Sequence, residues 1–285
     1  MRRGAARAGA AVVCTLLAAL TGCAAVPDAQ GPTLAPATAA GHAVRLPDPH
    51  AGFDYQLGGA YPPPAGVTIV ERDRTAEPAG AGYDICYVNG FQTQPEDSRS
   101  FAQAHPDLVL HAGGAPLVDP GWPDEYLFDT SSASRRQALA SIVGGWIAGC
   151  ARDGYAAVEI DNLDSYTRSR GALSAEDNLA LAADYARIAH RAGLAIAQKN
   201  TAEQTGRLAA AGYDFAVTES CAAFEECDAY AAAYPVVLDI EYTDELGAAR
   251  FPAACARRAD QVTMILRDHD LVPPADPAHA YRPCP

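Results

Sequence analysis

Two periods of hydrophobic and polar positions alternate along the chain, one typical of strands and the other typical of helices. Eight short, apolar, β-prone runs predict strands at 53–57, 67–70, 84–88, 156–160, 194–198, 213–218, 236–240 and 262–266. From the third run onward, helical patterns lie between the strands, at 134–150, 174–190, 202–211, 222–234 and 244–258. Strands that alternate with helices indicate a parallel sheet. Eight of them in one domain predict an α/β fold, a (β/α)8 barrel of the TIM type.

An open doubly wound sheet is the alternative architecture. Such a sheet usually has a glycine-rich phosphate loop after its first strand. Here Gly58-Gly59 leads into Pro62-Pro63-Pro64 and not into a helix, which favours the barrel. Segment 92–128 has Pro and Gly throughout, which predicts a long loop. Loops of that length are usually functional or disordered. This one contains Trp122, Asp124, Glu125 and Tyr126, which are typical of a binding surface.

The predicted fourth strand ends in a run of acidic and amide residues, Glu159-Ile160-Asp161-Asn162-Leu163-Asp164-Ser165-Tyr166. Side chains alternate faces along a strand, so Glu159 and Asp161 share one face and Val158 and Ile160 share the other. Two carboxylates then point the same way at the end of a buried strand. Buried charge is costly unless it is paired or used, which favours a functional site. The alternatives are a structural salt-bridge cluster or a capping box for the next helix.

Polar residues gather at the carboxyl ends of the predicted strands. In strand order they are Asp54 and Gln56, Tyr87 and Asn89, Glu159 and Asp161, Lys199 and Asn200, Glu219, Glu241 and Tyr242, and Arg267 and Asp268. Barrel enzymes build their active sites at that face, from the ends of several strands. The number of contributing strands therefore predicts an active site.

Several carboxylates in one cleft suggest cleavage of a glycosidic bond, where one carboxyl group is ionised and another is protonated. We expect Lys199, on the next strand, to keep Asp161 ionised as a nucleophile. Glu219 and Glu241 lie on adjacent strands, and a like charge nearby favours a proton on one of them, which suits a general acid. Two alternatives stay open: Lys199 as a structural partner of Glu159, and Glu241 as a ligand of a cationic substrate group.

The other polar and aromatic candidates are expected to contact substrate. They are Asp54, Gln56, Tyr87, Trp122, Glu159, Asn162, Asp164, Tyr166, Lys199, Asn200, Glu241 and Tyr242, with the rings as platforms for sugars. An Mg²⁺ or Ca²⁺ site made by Glu159, Asp161 and Asp164 is an alternative. We expect no metal and no other cofactor, and no Gly-x-Ser-x-Gly motif or Cys–His pairing indicates a hydrolase triad.

The N-terminus is expected to be a targeting segment rather than part of the fold. Arg2, Arg3 and Arg7 precede an apolar stretch from residue 8 to 19, which is typical of a secretory signal. The following Leu20-Thr21-Gly22-Cys23 resembles a bacterial lipobox, which implies cleavage of residues 1–22 and lipid attachment to Cys23. Residues 23–52 read as a tether and 53–285 as the barrel domain. We expect an extracytoplasmic lipoprotein on the outer face of the cell membrane; ordinary secretion is the alternative.

The mature chain is strongly acidic. Removing residues 1–22 takes away three arginines and no acid, so the net charge falls from −14 to −17. Such a protein is a poor partner for nucleic acid or anionic lipid and a good one for a cationic ligand. We therefore expect a cationic or neutral polysaccharide as partner, a membrane contact through the lipid anchor alone, no nucleic acid, and a monomer.

Six cysteines remain after Cys14 is cleaved off and Cys23 is lipidated. An even number in an exported protein suggests disulfides, and six allow 15 connectivities. We expect Cys221–Cys227 as a local bridge, Cys255–Cys284 holding the C-terminal tail, and Cys86–Cys150. A zinc site is the rival, but no Cys-x-x-Cys motif or histidine cluster supports it.

The order and spacing of six motifs resemble glycoside hydrolase family 114, the endo-α-1,4-polygalactosaminidase family. The motifs are Phe53-Asp54-Tyr55-Gln56-Leu57, Cys86-Tyr87-Val88-Asn89-Gly90, the run from Glu159 to Tyr166, Lys199-Asn200, Glu219-Ser220-Cys221 with Glu226-Cys227, and Glu241-Tyr242. The resemblance covers roughly residues 53–270. It implies a (β/α)8 barrel that hydrolyses α-1,4-linked galactosamine polymers, which are exopolysaccharides of microbial biofilms.

By position, Asp161 matches the catalytic Asp of the family and Glu219 its catalytic Glu. We assign Asp161 as nucleophile and Glu219 as acid/base. The sequence leaves retention and inversion of configuration open, and we favour retention. Phe53 stands where the family usually has Trp, and Asn89 where it usually has Ser, so substrate preference stays open. A lipid-anchored carbohydrate-binding barrel without activity and a hydrolase of a different glycan are the alternatives.

Overall fold

The computed structural model describes residues 44–258 and 260–285. Its strands are β1 Gly52–Tyr55, β2 Val67–Asp73, β3 Tyr83–Asn89, β4 His111–Ala112, β5 Ala115–Pro116, β6 Ala157–Asp161, β7 Ala195–Lys199, β8 Phe215–Glu219, β9 Val237–Tyr242, β10 Thr263–Arg267 and β11 Tyr281–Pro283. Strands β1, β2, β3 and β6 to β10 pair in parallel in that order, and β11 pairs antiparallel with β10. The eight predicted strands are thus confirmed, each within a few residues of its expected bounds.

Helices cover the outside of the sheet. They are α1 Ser98–Ala104, α2 Ala133–Asp153, α3 Ser165–Arg168, α4 Ala175–Arg191, a 3₁₀ turn at Ala202–Gln204, α5 Thr205–Ala211, α6 Cys227–Ala231 and α7 Gly247–Arg258. Helix α4 begins with a capping box between Ser174 and Asp177. Two expectations were wrong. Segment 92–128 contains α1 and the β4–β5 hairpin, and segment 222–234 is an α-helix only over Cys227–Ala231.

The sheet separates two apolar clusters. Val158 and Ile160 face the helices and pack with them, whereas Ala157 joins an inner cluster that includes Tyr55. Glu159 and Asp161 share the inner face with Ala157, so the predicted alternation along β6 is confirmed. The inner face of this strand therefore delivers two carboxylates to the carboxyl end of the barrel.

Side chains close the gap between the last parallel strand and the first. The buried guanidinium of Arg267 on β10 donates to Asp54 Oδ1 (3.1 Å) and to the carbonyl oxygen of Tyr55 on β1. From β11, the hydroxyl of Tyr281 donates to the carbonyl oxygen of Phe53 (2.9 Å). Arg267 and Asp54 thus belong to the wall of the barrel rather than to its open end.

Three disulfides join the expected cysteines: Cys86–Cys150, Cys221–Cys227 and Cys255–Cys284. The first links β3 to α2, the second closes the segment after β8, and the third ties the C-terminal tail to α7. All six cysteines among the described residues are bridged, so none of these six offers a thiolate to the rival zinc site.

Residues 44–51, assigned to the tether from the sequence, pack against the barrel. Val44 and Leu46 contact the inner apolar cluster, and Tyr83 donates a 2.7 Å hydrogen bond to the carbonyl oxygen of Arg45. The predicted signal peptide, Cys23 and the tether up to residue 43 lie outside the described residues. Among the residues described, no helix has the length and apolar character needed to cross a membrane.

Candidate active site

A cleft of about 970 Å³ lies at the carboxyl ends of the parallel strands. Its lining includes both expected catalytic residues, Asp161 and Glu219. It also includes six of the expected substrate contacts: Tyr87, Trp122, Asn162, Lys199, Asn200 and Tyr242. Parallel strands of a barrel present their carboxyl ends to one opening, which is why distant parts of the chain meet here.

Lys199 occupies the centre of the cleft floor. It is the only lysine of the 285-residue chain. Its Nζ lies 3.5 Å from Asp161 Oδ2, 3.3 Å from Glu219 Oε2 and 3.4 Å from Glu159 Oε1. Burial lowers the pKa of Lys199, but the three carboxylates raise it by more than burial lowers it. The pKa of Lys199 therefore stands well above its ordinary value. One buried ammonium ion therefore connects the two predicted catalytic groups with a third acid.

Asp161 is fixed by donors on both of its oxygens. The hydroxyl of Tyr87 donates to Oδ2 (2.7 Å), and the backbone N–H of Asn162 donates to Oδ1 (2.6 Å). Asn162 has a φ of 63°, a left-handed conformation that turns the chain sharply after the strand. Its side chain is held by Asn89 Oδ1 at 2.9 Å. The carboxylate is thus aimed at the cleft, and 19% of its side chain is exposed.

Glu219 lies across Lys199 from Asp161. Tyr242 donates a hydrogen bond to its Oε1, and Asn200 Nδ2 donates to its Oε2 (3.3 Å). The backbone N–H of Glu219 donates to Asn200 Oδ1 (2.8 Å), so strands β7 and β8 are joined by side chains at this level. The side chain of Glu219 is 30% exposed against 2% for Lys199, so the glutamate and not the lysine reaches solvent.

Glu159 lies below the cleft and is fully buried. Lys199 Nζ and the hydroxyl of Tyr55 both lie 3.4 Å from its Oε1, and the two donors are 2.9 Å apart. Burial raises the pKa of Glu159 to about 7 against the opposing effect of the Lys199 ammonium ion. Glu159 therefore supports Lys199 from beneath and does not face the substrate, contrary to the expected substrate contact.

Glu125, from the segment between β5 and α2, forms one wall of the cleft. Asn89 Nδ2 and Gln92 Nε2 donate to its Oε2 at 2.8 and 2.9 Å. Burial raises the pKa of Glu125 to about 7, although the two amide donors oppose the rise. Asn89 thus acts by holding Glu125 and Asn162, and it does not line the cleft itself.

Five expected substrate contacts besides Glu159 lie elsewhere. Asp54 accepts from Tyr61, Gln56 and Arg267; Gln56 accepts from Arg72; Asp164 pairs with Arg168 at 2.7 Å; Tyr166 donates to Glu203; and Glu241 accepts from two backbone N–H groups of the segment after β8. Leu238 and Ile240 face the barrel interior, so Glu241 faces outward. It is therefore not the neighbour of Glu219 that the sequence suggested.

Several acids of the cleft were not expected from the sequence. Asp73, Glu96, Asp97, Glu245 and Asp270 line it, together with the exposed ring of Phe224. Most of these acids lie on loops, which lack the periodic pattern of apolar and polar residues from which strands and helices are predicted. The alternative metal site is not assembled, because Asp164 pairs with Arg168 while Lys199 holds both Glu159 and Asp161.

A barrel with two carboxyl groups at its open end is the arrangement that glycoside hydrolases use. The profile of glycoside-hydrolase family GH114 matches residues 33–284. The chain belongs to this family and is a glycoside hydrolase.

Two solved structures share the fold. Ega3 of Aspergillus fumigatus, solved in complex with galactosamine, is 22% identical with a TM-score of 0.66, over 84% of this chain and 96% of that one. The glycoside hydrolase domain of PelA from Pseudomonas aeruginosa is 18% identical with a TM-score of 0.52, over 77% and 95%. A comparison with curated proteins by sequence gave no match.

Proposed function

We propose that the protein is an extracytoplasmic, endo-acting hydrolase of α-1,4-linked galactosamine polysaccharide, with Asp161 as nucleophile and Glu219 as acid/base. One observation carries the proposal. Lys199 Nζ lies 3.5 Å from Asp161 Oδ2 and 3.3 Å from Glu219 Oε2, at the floor of a cleft that both carboxyl groups reach. A cation between them stabilises the ionised form of either group as charge passes from one to the other.

The two contacts of Lys199 also limit the distance between the carboxyl groups. Asp161 Oδ2 and Glu219 Oε2 lie at most about 6.8 Å apart, the sum of the two distances to Nζ. Retaining glycosidases hold the groups about 5–5.5 Å apart and inverting ones about 6.5–9.5 Å apart. This limit applies to one oxygen of each group and is compatible with the shorter separation, and we favour retention on that basis.

In a retaining reaction, an oxygen of Asp161 bonds to the anomeric carbon while the bond to the leaving sugar breaks. Glu219 gives its proton to the departing glycosidic oxygen. In the second step Glu219 takes a proton from water, the water oxygen bonds to the anomeric carbon, and Asp161 leaves as a carboxylate. Tyr87 and the backbone of Asn162 keep Asp161 aimed at the sugar throughout.

The cleft chemistry supports a cationic sugar. A galactosamine unit without its acetyl group carries a positive charge, and the lining offers the acids Asp73, Glu96, Glu245 and Asp270 to such groups. A fifth acid of the lining, Asp97, pairs with Arg74 at 3.1 Å. Trp122 and Phe224 are 60% and 61% exposed beside them and offer flat apolar surfaces for sugar rings. The complex of Ega3 with galactosamine favours the same substrate class.

Three disulfides support an oxidising compartment. With the N-terminal pattern of residues 1–22 and Cys23, they favour export and lipid anchoring of a monomer on the outer face of the membrane.

The test is a digest of partly de-acetylated α-1,4-galactosamine polymer with residues 44–285, beside Asp161→Asn and Glu219→Gln, with products identified by mass spectrometry. We expect oligosaccharides from the wild type and a loss of two or more orders of magnitude in the folded variants. Binding without products from any protein would favour the inactive binding barrel. Activity only on another glycan would replace the substrate.

A further inference from the structure

Two buried carboxyl groups meet inside the barrel, beneath Lys199. Glu71 lies on β2 and Glu159 on β6, and both side chains are fully buried. As carboxylates they can only accept, and neither oxygen of Glu71 has a donor. Oε2 of Glu159 lacks one as well, while its Oε1 is taken by Lys199 and Tyr55. Buried polar atoms are almost always hydrogen-bonded, so three orphaned oxygens at one place need an explanation.

A single proton accounts for two of the three orphaned oxygens. The two side chains lie within hydrogen-bonding reach of each other. With a proton on Glu71, its hydroxyl donates to Glu159 and the contact between two acceptors becomes a hydrogen bond. Glu159 accepts from two donors, Lys199 and Tyr55, whereas Glu71 has none, so the proton is placed on Glu71. Burial, and then the charge of Glu159, raise the pKa of Glu71 well above its ordinary value, in agreement with this assignment.

The charge around the pair requires the same assignment. The groups that face it are Lys199 from β7, Asp161 from β6, Glu219 from β8, and the phenols of Tyr55 from β1 and Tyr87 from β3. One ammonium ion would otherwise serve four carboxylates. With Glu71 neutral, Lys199 balances Glu159 and remains available to the two catalytic groups above it.

We propose that Glu71 is a positioning residue: as a neutral acid it donates a hydrogen bond to Glu159, keeps Glu159 ionised, and thereby holds Lys199 centred below Asp161 and Glu219. Glu71 does not line the cleft. Its contribution passes through two intermediates, Glu159 and Lys199. Glu71, Glu159 and Lys199 thus form a chain of hydrogen-bonded groups that runs from the barrel interior to the two catalytic carboxyl groups.

The consequence for catalysis rests on the proposed function. Without the donor at position 71, Glu159 takes up a proton and releases its hold on Lys199. The ammonium ion is then shared by Asp161 and Glu219 alone. A stronger hold on both makes the nucleophile less reactive. The rate falls, while substrate binding stays the same.

The first test needs no substrate. Since Lys199 is the only lysine, protein labelled with [ε-¹³C]lysine gives one side-chain resonance for it. We expect this resonance to be nearly unchanged in Glu71→Gln, whose amide keeps the donor, and to shift in Glu71→Leu, which removes it. A second label, [δ-¹³C]glutamate, is read at about pH 8.5, where groups with a pKa of about 7 are ionised. The wild type should show the signal of a protonated carboxyl group, and Glu71→Gln should not show it. No such signal overturns the proposal, whether or not Glu71→Leu folds.

The second test is kinetic. Glu71→Leu should lower kcat by about tenfold or more with KM within about twofold, and Glu71→Gln should restore kcat. Equal loss in the two variants, or a normal kcat in Glu71→Leu, overturns the positioning role. If the proposed substrate is wrong, the kinetic arm fails for the wild type as well, whereas the resonance of Lys199 still reports on the pair.

Discussion

Tyr87 on β3 donates a 2.7 Å hydrogen bond to Oδ2 of Asp161 on the adjacent strand β6, at the carboxyl end where both strands open into the cleft. The register that pairs Tyr87 with Glu159 places the phenol one step below Asp161 and lets its hydroxyl reach upward. The contact therefore depends on the backbone and not on a loop.

Loss of that hydroxyl in Tyr87→Phe should lower kcat about tenfold and leave KM almost unchanged. The hydrogen bond orients Asp161 for attack and does not contribute to substrate binding. Its loss therefore raises the free energy of the transition state by about 1–1.5 kcal/mol and leaves binding unchanged. Steady-state kinetics on the polymer check this. A rise in KM at constant kcat would mean that Tyr87 is a sugar contact instead.

Replacing the only lysine should destabilise the fold as well as abolish activity. Lys199→Met leaves Glu159 buried without its cation, and breaking a buried pair costs about 3–5 kcal/mol. Adding Glu159→Gln should recover most of that stability without recovering activity. Urea unfolding at neutral pH measures both variants, and equal stability of Lys199→Met and wild type would contradict the buried pairing.

A second carboxyl pair should make stability fall as pH rises. On the outer side of β9, Asp239 and Glu241 each have one buried oxygen without a donor. Burial, and then the charge of Glu241, raise the pKa of Asp239 well above its ordinary value. Between the ordinary pKa of Asp239 in the unfolded chain and its raised pKa in the folded state, the folded protein binds more protons. The free energy of unfolding therefore falls as the pH rises through this range.

Asp239→Asn removes this titration and keeps both the acceptor for Cys221 N–H and a donor for Glu241. Its gain in free energy of unfolding over wild type should grow with pH, by at most about 1.4 kcal/mol per unit. The exposed Asp153→Asn is the control and should show no such trend. Parallel curves for Asp239→Asn and wild type would contradict the shared proton.

The exposed rings at the cleft should contribute to binding rather than to chemistry. Phe224→Ala and Trp122→Ala each remove a sugar platform, and we expect KM for the polymer to rise about tenfold, or ~1.4 kcal/mol, with kcat little changed. Val118→Ala changes an exposed apolar residue outside the cleft lining and serves as the control. A variant of either ring with unchanged KM would exclude it from the binding surface.

The disulfides should differ in what they stabilise. Cys86–Cys150 spans 64 residues and Cys221–Cys227 only 6, so loop entropy predicts losses of about 4 and about 2 kcal/mol for the paired Cys→Ala variants. The shorter bridge closes the segment that follows Glu219, so its loss should lower kcat more. Urea unfolding and kinetics on both variants test the contrast, and the reverse order in both would contradict it.

The barrel could be predicted from the sequence because each strand is a short apolar run between recognisable turns. The alternation of residues along β6 likewise predicts that Glu159 and Asp161 share one face of the strand. Residues 238–242 of strand β9 alternate in the same way, but the strand is buried on both faces, so the alternation alone does not show which set of side chains faces the barrel interior. For that reason the sequence favours Glu241 as the neighbour of Glu219, although its side chain faces outward.

Other parts of the site depend on tertiary contacts. Glu71 could not be predicted because the apolar run of β2 stops at Val70, whereas the strand continues to Asp73. The cleft acids on loops have no period, and only the closed barrel brings them together. The sequence does carry one further signal: a single lysine in an acidic chain of 285 residues, placed at a strand end, marks a position where a cation is needed.

The anomeric form of the first product tests the central claim most directly. If Asp161 forms a bond to the sugar and water replaces it, both steps invert the anomeric carbon and the α-linkage yields an α-product. Proton NMR during the first turnovers of an α-1,4-galactosamine oligosaccharide distinguishes the two forms before they interconvert. We predict the α-anomer first, with no release in Asp161→Asn. The β-anomer first, or full activity in Asp161→Asn, would contradict the account.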